Sequence, residues 1–308
     1  MNMHMEEHRC GYVALAGRPN TGKSTLLNAI IGQKLSIVSP VKQTTRNRIL
    51  AVHNIPGTQM VILDTPGIQS GKKALNRYMY STAMDAMGEA DVTVLIMLSP
   101  GDRASDKKQF IDPRDEKILD KLLRNHGSLI VAVNKIDLLD SPSSLLPVMA
   151  YLAEIPGVDA VVPVSALHKD GIDELVNEIV SRLPESPPFF PPDMLTDRPE
   201  KFFVCELVRE AIIEQTKQEI PHASAVTVES FEAKEDGSCV IRAVVHVETE
   251  SQKGIIVGKG GSRIKSISMS ARKKAREFLD TGVHLFLRVV TTPMWSRDKK
   301  TLNRLGYE

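Results

Sequence analysis

Through residues 1–183, short apolar runs rich in β-branched residues alternate with longer stretches whose apolar positions recur at helical spacing. The runs Tyr12–Ala16, Arg48–Val52, Met60–Leu63, Val92–Leu98, Leu129–Val133 and Ala160–Val164 predict strands, and the amphipathic stretches between them predict crossover helices. In the first of these, Leu26, Leu27, Ile30 and Ile31 line one face and Gly32 ends the helix. That rhythm predicts a doubly wound α/β domain with a mostly parallel sheet. It ends at Pro184–Pro192, where five prolines in nine residues predict a semi-rigid, extended spacer over 184–197. From residue 198 to 308 the pattern changes to a helix over Glu200–Lys217, strands Ala225–Ala233 and Cys239–Val247 about an Asp236-Gly237 turn, two helices around a glycine turn, and a last strand Val283–Val290. A short helix is expected around Lys299–Arg304, so this part reads as a separate α+β domain.

Composition narrows the class. Hydrophobic residues at 42% and charged residues at 25% lie near globular averages, which excludes a largely disordered chain. Cys10, Cys205 and Cys239 are far apart and lack CxxC spacing, so they read as reduced thiols of a cytoplasmic protein, with neither a disulfide framework nor a zinc site. The longest apolar runs are of strand length, short of the roughly 20 residues a membrane span needs. The first ten residues are polar, with Glu6 and Glu7, and do not resemble a signal peptide. Charge is uneven: residues 1–197 carry 20 Lys+Arg against 23 Asp+Glu, and residues 198–308 carry 19 against 15. Within Lys253–Arg276 there are eight cations and no acid, which suits a polyanionic partner or a solvated helix face.

Candidate chemistry begins at Gly17-Arg18-Pro19-Asn20-Thr21-Gly22-Lys23-Ser24, a GxxxxGK[ST] phosphate loop placed between a predicted strand and a predicted helix, with Thr25 following. Its backbone N–H groups cradle phosphates, Lys23 supplies charge to the β and γ oxygens, and the Ser24 hydroxyl can ligate Mg²⁺. Downstream come Asp64-Thr65-Pro66-Gly67, Asn134-Lys135-Ile136-Asp137 and Ser165-Ala166-Leu167, in the order of a Ras-type G domain. Asp64 ends a strand where it can hold Mg²⁺, and the Gly67 N–H can sense the γ-phosphate. The Asp137 carboxylate can accept from guanine N1–H and N2–H₂, which adenine does not offer, and Ser165-Ala166 can support the same base. The site therefore selects GTP and GDP.

Between the phosphate loop and Asp64 lies Gln43-Thr44-Thr45-Arg46, after the polar stretch Ser36–Lys42. A threonine here can close over Mg²⁺ and the γ-phosphate, and the sequence leaves Thr44 and Thr45 as equal candidates. Ile68 follows Gly67 where a water-orienting glutamine would stand, so unaided turnover is expected to be slow, on the order of 10⁻⁴ to 10⁻² s⁻¹. This grouping resembles the translation-factor-like GTPases of the TrmE–Era–EngA group. In some of its members the phosphate-loop asparagine, here Asn20, holds a potassium ion; a role in bracing the loop is the alternative.

In the second domain, Gly258-Lys259-Gly260-Gly261 is a GxxG turn between two helical patterns, flanked by Ile255, Ile256, Val257 and Ile264. Such a turn lets a phosphate–sugar backbone approach closely, with Lys259, Arg263 and Lys265 supplying charge. The element order is that of a type II KH domain. A G domain joined through a proline-rich linker to a KH domain resembles the bacterial Era family, over nearly the whole chain. The resemblance implies a cytoplasmic GTPase that grips the single-stranded 3′ end of 16S ribosomal RNA on the 30S subunit during ribosome biogenesis. It also implies peripheral association with the inner membrane in some members, for which this sequence offers no transmembrane anchor.

Overall fold

The structure, a computed structural model, describes residues 8–39, 41, 43–69, 71–99, 110–125, 127–217 and 219–307 of the 308-residue chain. Glu6, Glu7 and Lys42 of the expectations above lie outside the described residues. The chain divides into two compact units: Met1–Ser36, Thr45–Ser70 and Met79–Asp197 form one, and Ile37–Thr44, Gly71–Tyr78 and Arg198–Glu308 form the other. The domain division expected from sequence thus differs in two respects. The first unit extends through the proline-rich segment, and it lacks two pieces that group with the second.

The first unit is built on β1 (Arg9–Ala16), β2 (Ile49–Ile55), β3 (Thr58–Asp64), β4 (Val92–Leu98), β5 (Ser128–Asn134) and β6 (Ala160–Val164). Their order is β2-β3-β1-β4-β5-β6, with β2 antiparallel to β3 and every other pair parallel. Strands buried on both faces need apolar residues of both parities, which is why these runs read as continuous rather than alternating. On β1, Ala14 and Ala16 face a core completed by Ala83 and Met87 of α2 (Ala74–Glu89), Ile118, Leu119 and Leu122 of α3 (Pro113–Leu122), and Val148 and Leu152 of α4 (Leu146–Ala153). Val13 and Leu15, of opposite parity, are fully buried too, on the side of α1 (Lys23–Ile31) and α5 (Ile172–Arg182). Gly32 caps α1 in the left-handed region, with its N–H on the Asn28 carbonyl.

The proline-rich segment is not a free spacer, and it turns at Pro191–Met194, where Met194 N donates to Pro191 O. Pro184 O accepts from Cys10 N, Ser186 N donates to His8 O, and Leu195 O accepts from Val52 N. The buried Gln59 side chain receives the N–H groups of Phe189 and Phe190 on Oε1. N–H groups between the prolines, together with those of Cys10 and Val52, bond the segment to β1, β2 and β3.

In the second unit, α6 (Glu200–Gln215), α7 (Ile220–Ala223), β7 (Ala225–Ala233), β8 (Cys239–Val247), α8 (Glu250–Val257), α9 (Ser262–Leu279), β9 (Val283–Thr291) and α10 (Lys299–Arg304) follow in order. The sheet runs β7-β8-β9, antiparallel then parallel. One core joins Val204, Val208 and Ile212 of α6 to Ile267, Ala271 and Ala275 of α9 and to Ile241, Ala243 and Val245 of β8. The short α7 was not legible in the sequence, because four residues are too few to show a helical period. Trp295 is fully buried, donates Nε1–H to Ala223 O and stacks on Tyr307, which ties the carboxy-terminal tail to α7. Among the described residues, no helix is long and apolar enough to cross a membrane.

Candidate nucleotide site and nucleic-acid interface

Strand β1 ends at Ala16 and the chain turns through Gly17–Gly22 into α1, so the loop lies at the amino end of that helix. Gly22 takes φ 100, and a Cβ there would stand 2.2 Å from Asn134 Nδ2. Only glycine permits both the turn and the approach. Asn134 Nδ2 in turn donates to Thr21 O at 2.8 Å, while its Oδ1 accepts from Lys135 N and from Ala166 N at 3.0 Å. One side chain thus links the phosphate loop, the end of β5 and the Ser165-Ala166-Leu167 turn. Asp137 Oδ1 accepts from Ser165 Oγ at 2.5 Å, and Lys135 is left-handed at φ 65. Leu167, next to Ala166, is an apolar side chain that is 71% exposed.

Lys23 is 5% exposed and donates Nζ to Gly17 O and Arg18 O. Burial lowers its pKa to about 8 against the opposing pull of Asp64 and Asp115. Asp64 is fully buried, and burial pushes its carboxyl above the ordinary range, opposed by Lys23 and by the hydroxyls of Ser36, Ser24 and Thr45. Oδ2 accepts from Ser24 Oγ and Ser36 Oγ, both at 2.8 Å, and Thr45 Oγ1 is 2.7 Å from Ser24 Oγ. Oδ1 is buried without a hydrogen-bond partner. A buried carboxylate with an unsatisfied oxygen amid hydroxyl oxygens is a fitting donor set for a hard cation such as Mg²⁺.

The two threonines separate. Thr45 belongs to the Ser24–Asp64 group, whereas Thr44 Oγ1 donates to Val41 O at 2.7 Å and is spent on its own loop. Of the two candidate threonines, Thr45 therefore stands with the Ser24–Asp64 group, while the Thr44 hydroxyl bonds within its own loop. Gly67 lies beside the phosphate loop: Ile68 N donates to Gly17 O at 3.0 Å, and Thr65 Oγ1 donates to Leu15 O at 2.8 Å. Ile68 itself is buried at 7% exposure. Within the loop, Thr21 Oγ1 donates to Arg18 O, Asn20 is left-handed at φ 67, and Pro19 and Thr25 are half-buried.

Sequence reasoning missed three supports. Ser36 carries no motif signal. Asn28 accepts from Leu35 N and Ser36 N on Oδ1 and donates to Ser36 O, which shapes the turn that delivers Ser36. Arg18 is clamped by Asp115 through two bonds of 2.6 Å, with Asp112 at 3.1 Å, so it braces the loop from α3. An asparagine three residues before the helix end was the only available hint.

In the second unit, Gly258 ends α8 at φ 72, and a Cβ there would meet Arg263 Cβ at 2.8 Å. Lys259–Gly261 form a single 3₁₀ turn, and Gly261 leads into α9. Lys259, Gly260 and Lys265 are exposed, and among the described residues Lys259 and Lys265 have no carboxylate partner. Arg263, expected to serve RNA, folds its guanidinium back onto Ile255 O. In this position it meets a carbonyl near the carboxy end of α8 while the residue remains exposed. The basic block, acid-free in sequence, is not so in space: Lys274 bonds Glu210 at 2.8 Å and Glu214 at 2.5 Å on α6, and Lys253 pairs with Glu250 at 3.5 Å. Of the cations without a carboxylate partner among the described residues, Lys259, Arg263 and Lys265 stand at or just after the GxxG turn, and Arg272 and Arg276 lie further along α9.

Residues 12–135 match the family described as 50S ribosome-binding GTPase, and residues 219–294 match the KH domain. The chain is 43% identical over 306 residues to the GTPase Era of Geotalea uraniireducens, covering 99% of this chain and 100% of that one. It is 42% identical over 301 residues to the GTPase Era of Pseudomonas aeruginosa, covering 97% and 95%. Two crystal structures match with a TM-score of 0.91 at 37% identity, over 97% of this chain and 99% of each of theirs. One is a variant Era of Aquifex aeolicus bound to GDP and AlF4⁻, and the other is Era with MgGDPNP and nucleotides 1506–1542 of 16S ribosomal RNA.

Proposed function

The chain belongs to the GTPase Era family, and from that premise we propose that it is a ribosome-biogenesis switch whose nucleotide state governs its grip on the 3′ end of 16S ribosomal RNA in the 30S subunit. It binds and hydrolyses GTP, and it binds RNA. What carries the finer reading is the match, at TM-score 0.91 over 97% of the chain, to a structure holding MgGDPNP and 16S RNA together.

The residues divide the work. Gly17, Pro19, Asn20, Thr21 and Gly22 present backbone to the phosphates, with Lys23 as the buried cation and Thr25 in the first turn of α1. Asp137, oriented by Ser165, reads the guanine edge, while Ala166 N and Asn134 hold that turn against the loop and Leu167 offers an apolar surface to the base. Ser24, Thr45 and Asp64 are the ligands we assign to Mg²⁺, whose bound charge offsets that developing on the phosphates. Thr45 and Gly67 respond to the γ-phosphate. Ile68 brings no group that orients water, so turnover waits on the RNA or the ribosomal partner. For Asn20 we keep two roles, loop bracing and a potassium site. A rate that rises in potassium over sodium, and loses that rise in Asn20→Ala, supports the second.

In the KH unit, Gly258, Gly260 and Gly261 admit about four unpaired nucleotides, and Lys259 and Lys265 meet their phosphates. Association with the membrane is not part of this reading. Crosslinking in cells with sequencing of the attached RNA tests the assignment: enrichment at the 16S 3′ end, lost in Gly258→Asp, supports it, and diffuse crosslinks overturn it.

A further inference from the structure

Within the second unit, the main chain of Ile37–Thr44 is held by an ion pair on α6. Arg209 Nη1 donates to Glu206 Oε1 at 2.6 Å and to Oε2 at 2.8 Å, and Nη2 donates to Thr44 O at 2.9 Å. Arg209 is 2% exposed and Glu206 8%. A buried ion pair adds little net stability, because desolvation offsets the attraction, and apolar residues of similar volume often replace one without loss. What they cannot replace is a directed donor to a main-chain carbonyl. The planar guanidinium does this while keeping its other edge on the carboxylate.

The carbonyl it holds belongs to the residue immediately before Thr45. The segment is also tied to Gly71–Tyr78, a second piece anchored inside the same unit. Gln43 Nε2 donates to Asn76 Oδ1 at 3.2 Å, Leu75 N donates to Ser296 O at 3.1 Å, and the Tyr78 ring meets Tyr307 edge-on at 6.0 Å. Helix α6 also supports α9, the helix that begins at the GxxG turn, through the shared core and the Lys274 bonds to Glu210 and Glu214.

We propose that Arg209, oriented by Glu206, is a positioning residue for the switch threonine: its bond to the Thr44 carbonyl sets the backbone from which Thr45 reaches Ser24 and Asp64, and so favours the triphosphate-bound state. This rests on the reading of Thr45 as the residue that responds to the γ-phosphate. Arg209 touches neither nucleotide nor reacting atoms and acts only through Thr44. GDP binding, which does not call on Thr45, is independent of it.

The test uses the full chain with Mg²⁺ and fluorescent GDPNP and GDP. Arg209→Met alone leaves Glu206 buried and unpaired, so the informative variant is Glu206→Leu with Arg209→Met, which removes both charges and keeps the volume. The expected result is a folded protein with native GDP affinity, GDPNP affinity weakened about tenfold, within the usual range of such couplings, and faster amide exchange at residues 43–45 in the GDPNP complex. An unchanged ratio of GDPNP to GDP affinity in that folded variant overturns the proposal. Thr45→Ala, measured alongside, separates the two layers: if it leaves GDPNP affinity untouched, the reading of Thr45 fails, whatever Arg209 does.

Discussion

The nucleotide site and the GxxG turn solve recognition in opposite ways. In the first, Lys23, Asp64 and Asn134 are 5%, 0% and 2% exposed, and nearly every polar atom is committed before any ligand arrives. In the second, Lys259, Gly260 and Lys265 stand in solvent, and the specific feature is a backbone shape with three left-handed glycines. A small charged ligand is selected by groups that are costly to leave unpaired in a buried setting. A single-stranded polymer must be admitted from the side along an open groove and gripped by its repeating backbone. Substitutions at the two sites should therefore fail differently: sharply and chemically in one, gradually and with salt dependence in the other.

The largest effect expected is at the base reader. Asp137→Asn should exchange guanine for xanthine preference, shifting discrimination by about 10⁴ in competitive nucleotide binding; retained selectivity for GTP removes Asp137 from that role. Lys23→Ala comes next, with a loss on the order of 10² to 10³ in nucleotide affinity by fluorescence titration and no change in RNA affinity. Comparable nucleotide binding in that variant contradicts the phosphate-loop assignment. Gly258→Asp should abolish measurable RNA binding while GDP affinity holds, because a side chain at φ 72 would clash with Arg263 and add negative charge to the turn. By contrast, Lys259→Ala should weaken RNA binding evenly across sequences and lower the salt slope by roughly 0.7. The smallest change is Ser36→Ala, which removes one of the bonds to Asp64 Oδ2 at about 1 kcal/mol, read as a severalfold rise in the Mg²⁺ needed for GTP binding.

Much of the architecture was legible in the chain, for reasons visible residue by residue. Strands β4, β6, β7 and β8 coincide with their apolar runs because turn residues such as Asp236-Gly237 bound them sharply. The phosphate-loop and Asn134–Asp137 motifs stand out in the chain because the chemistry proposed for them demands fixed spacing. Contacts between residues distant in sequence could not be read. Nothing in Ser36 announces that its hydroxyl reaches Asp64, and nothing in Arg18 announces its clamp to Asp115. The choice between Thr44 and Thr45 depends on which side of the segment each faces. The proline-rich segment misled for a similar reason, since proline content predicts an extended path but not what that path is bonded to. Likewise, the acid-free run on α9 loses Lys274 to carboxylates some sixty positions away.

The claim at the centre of this account is that nucleotide state sets the grip on RNA. Its most direct test is the affinity of the full chain for 16S nucleotides 1506–1542, measured with GDPNP and again with GDP at fixed Mg²⁺ and salt. The account predicts binding at least about fivefold tighter with GDPNP, the lower end of typical allosteric coupling. Equal affinities in the two states would contradict it, leaving a GTPase and an RNA-binding domain that share a chain without sharing a switch.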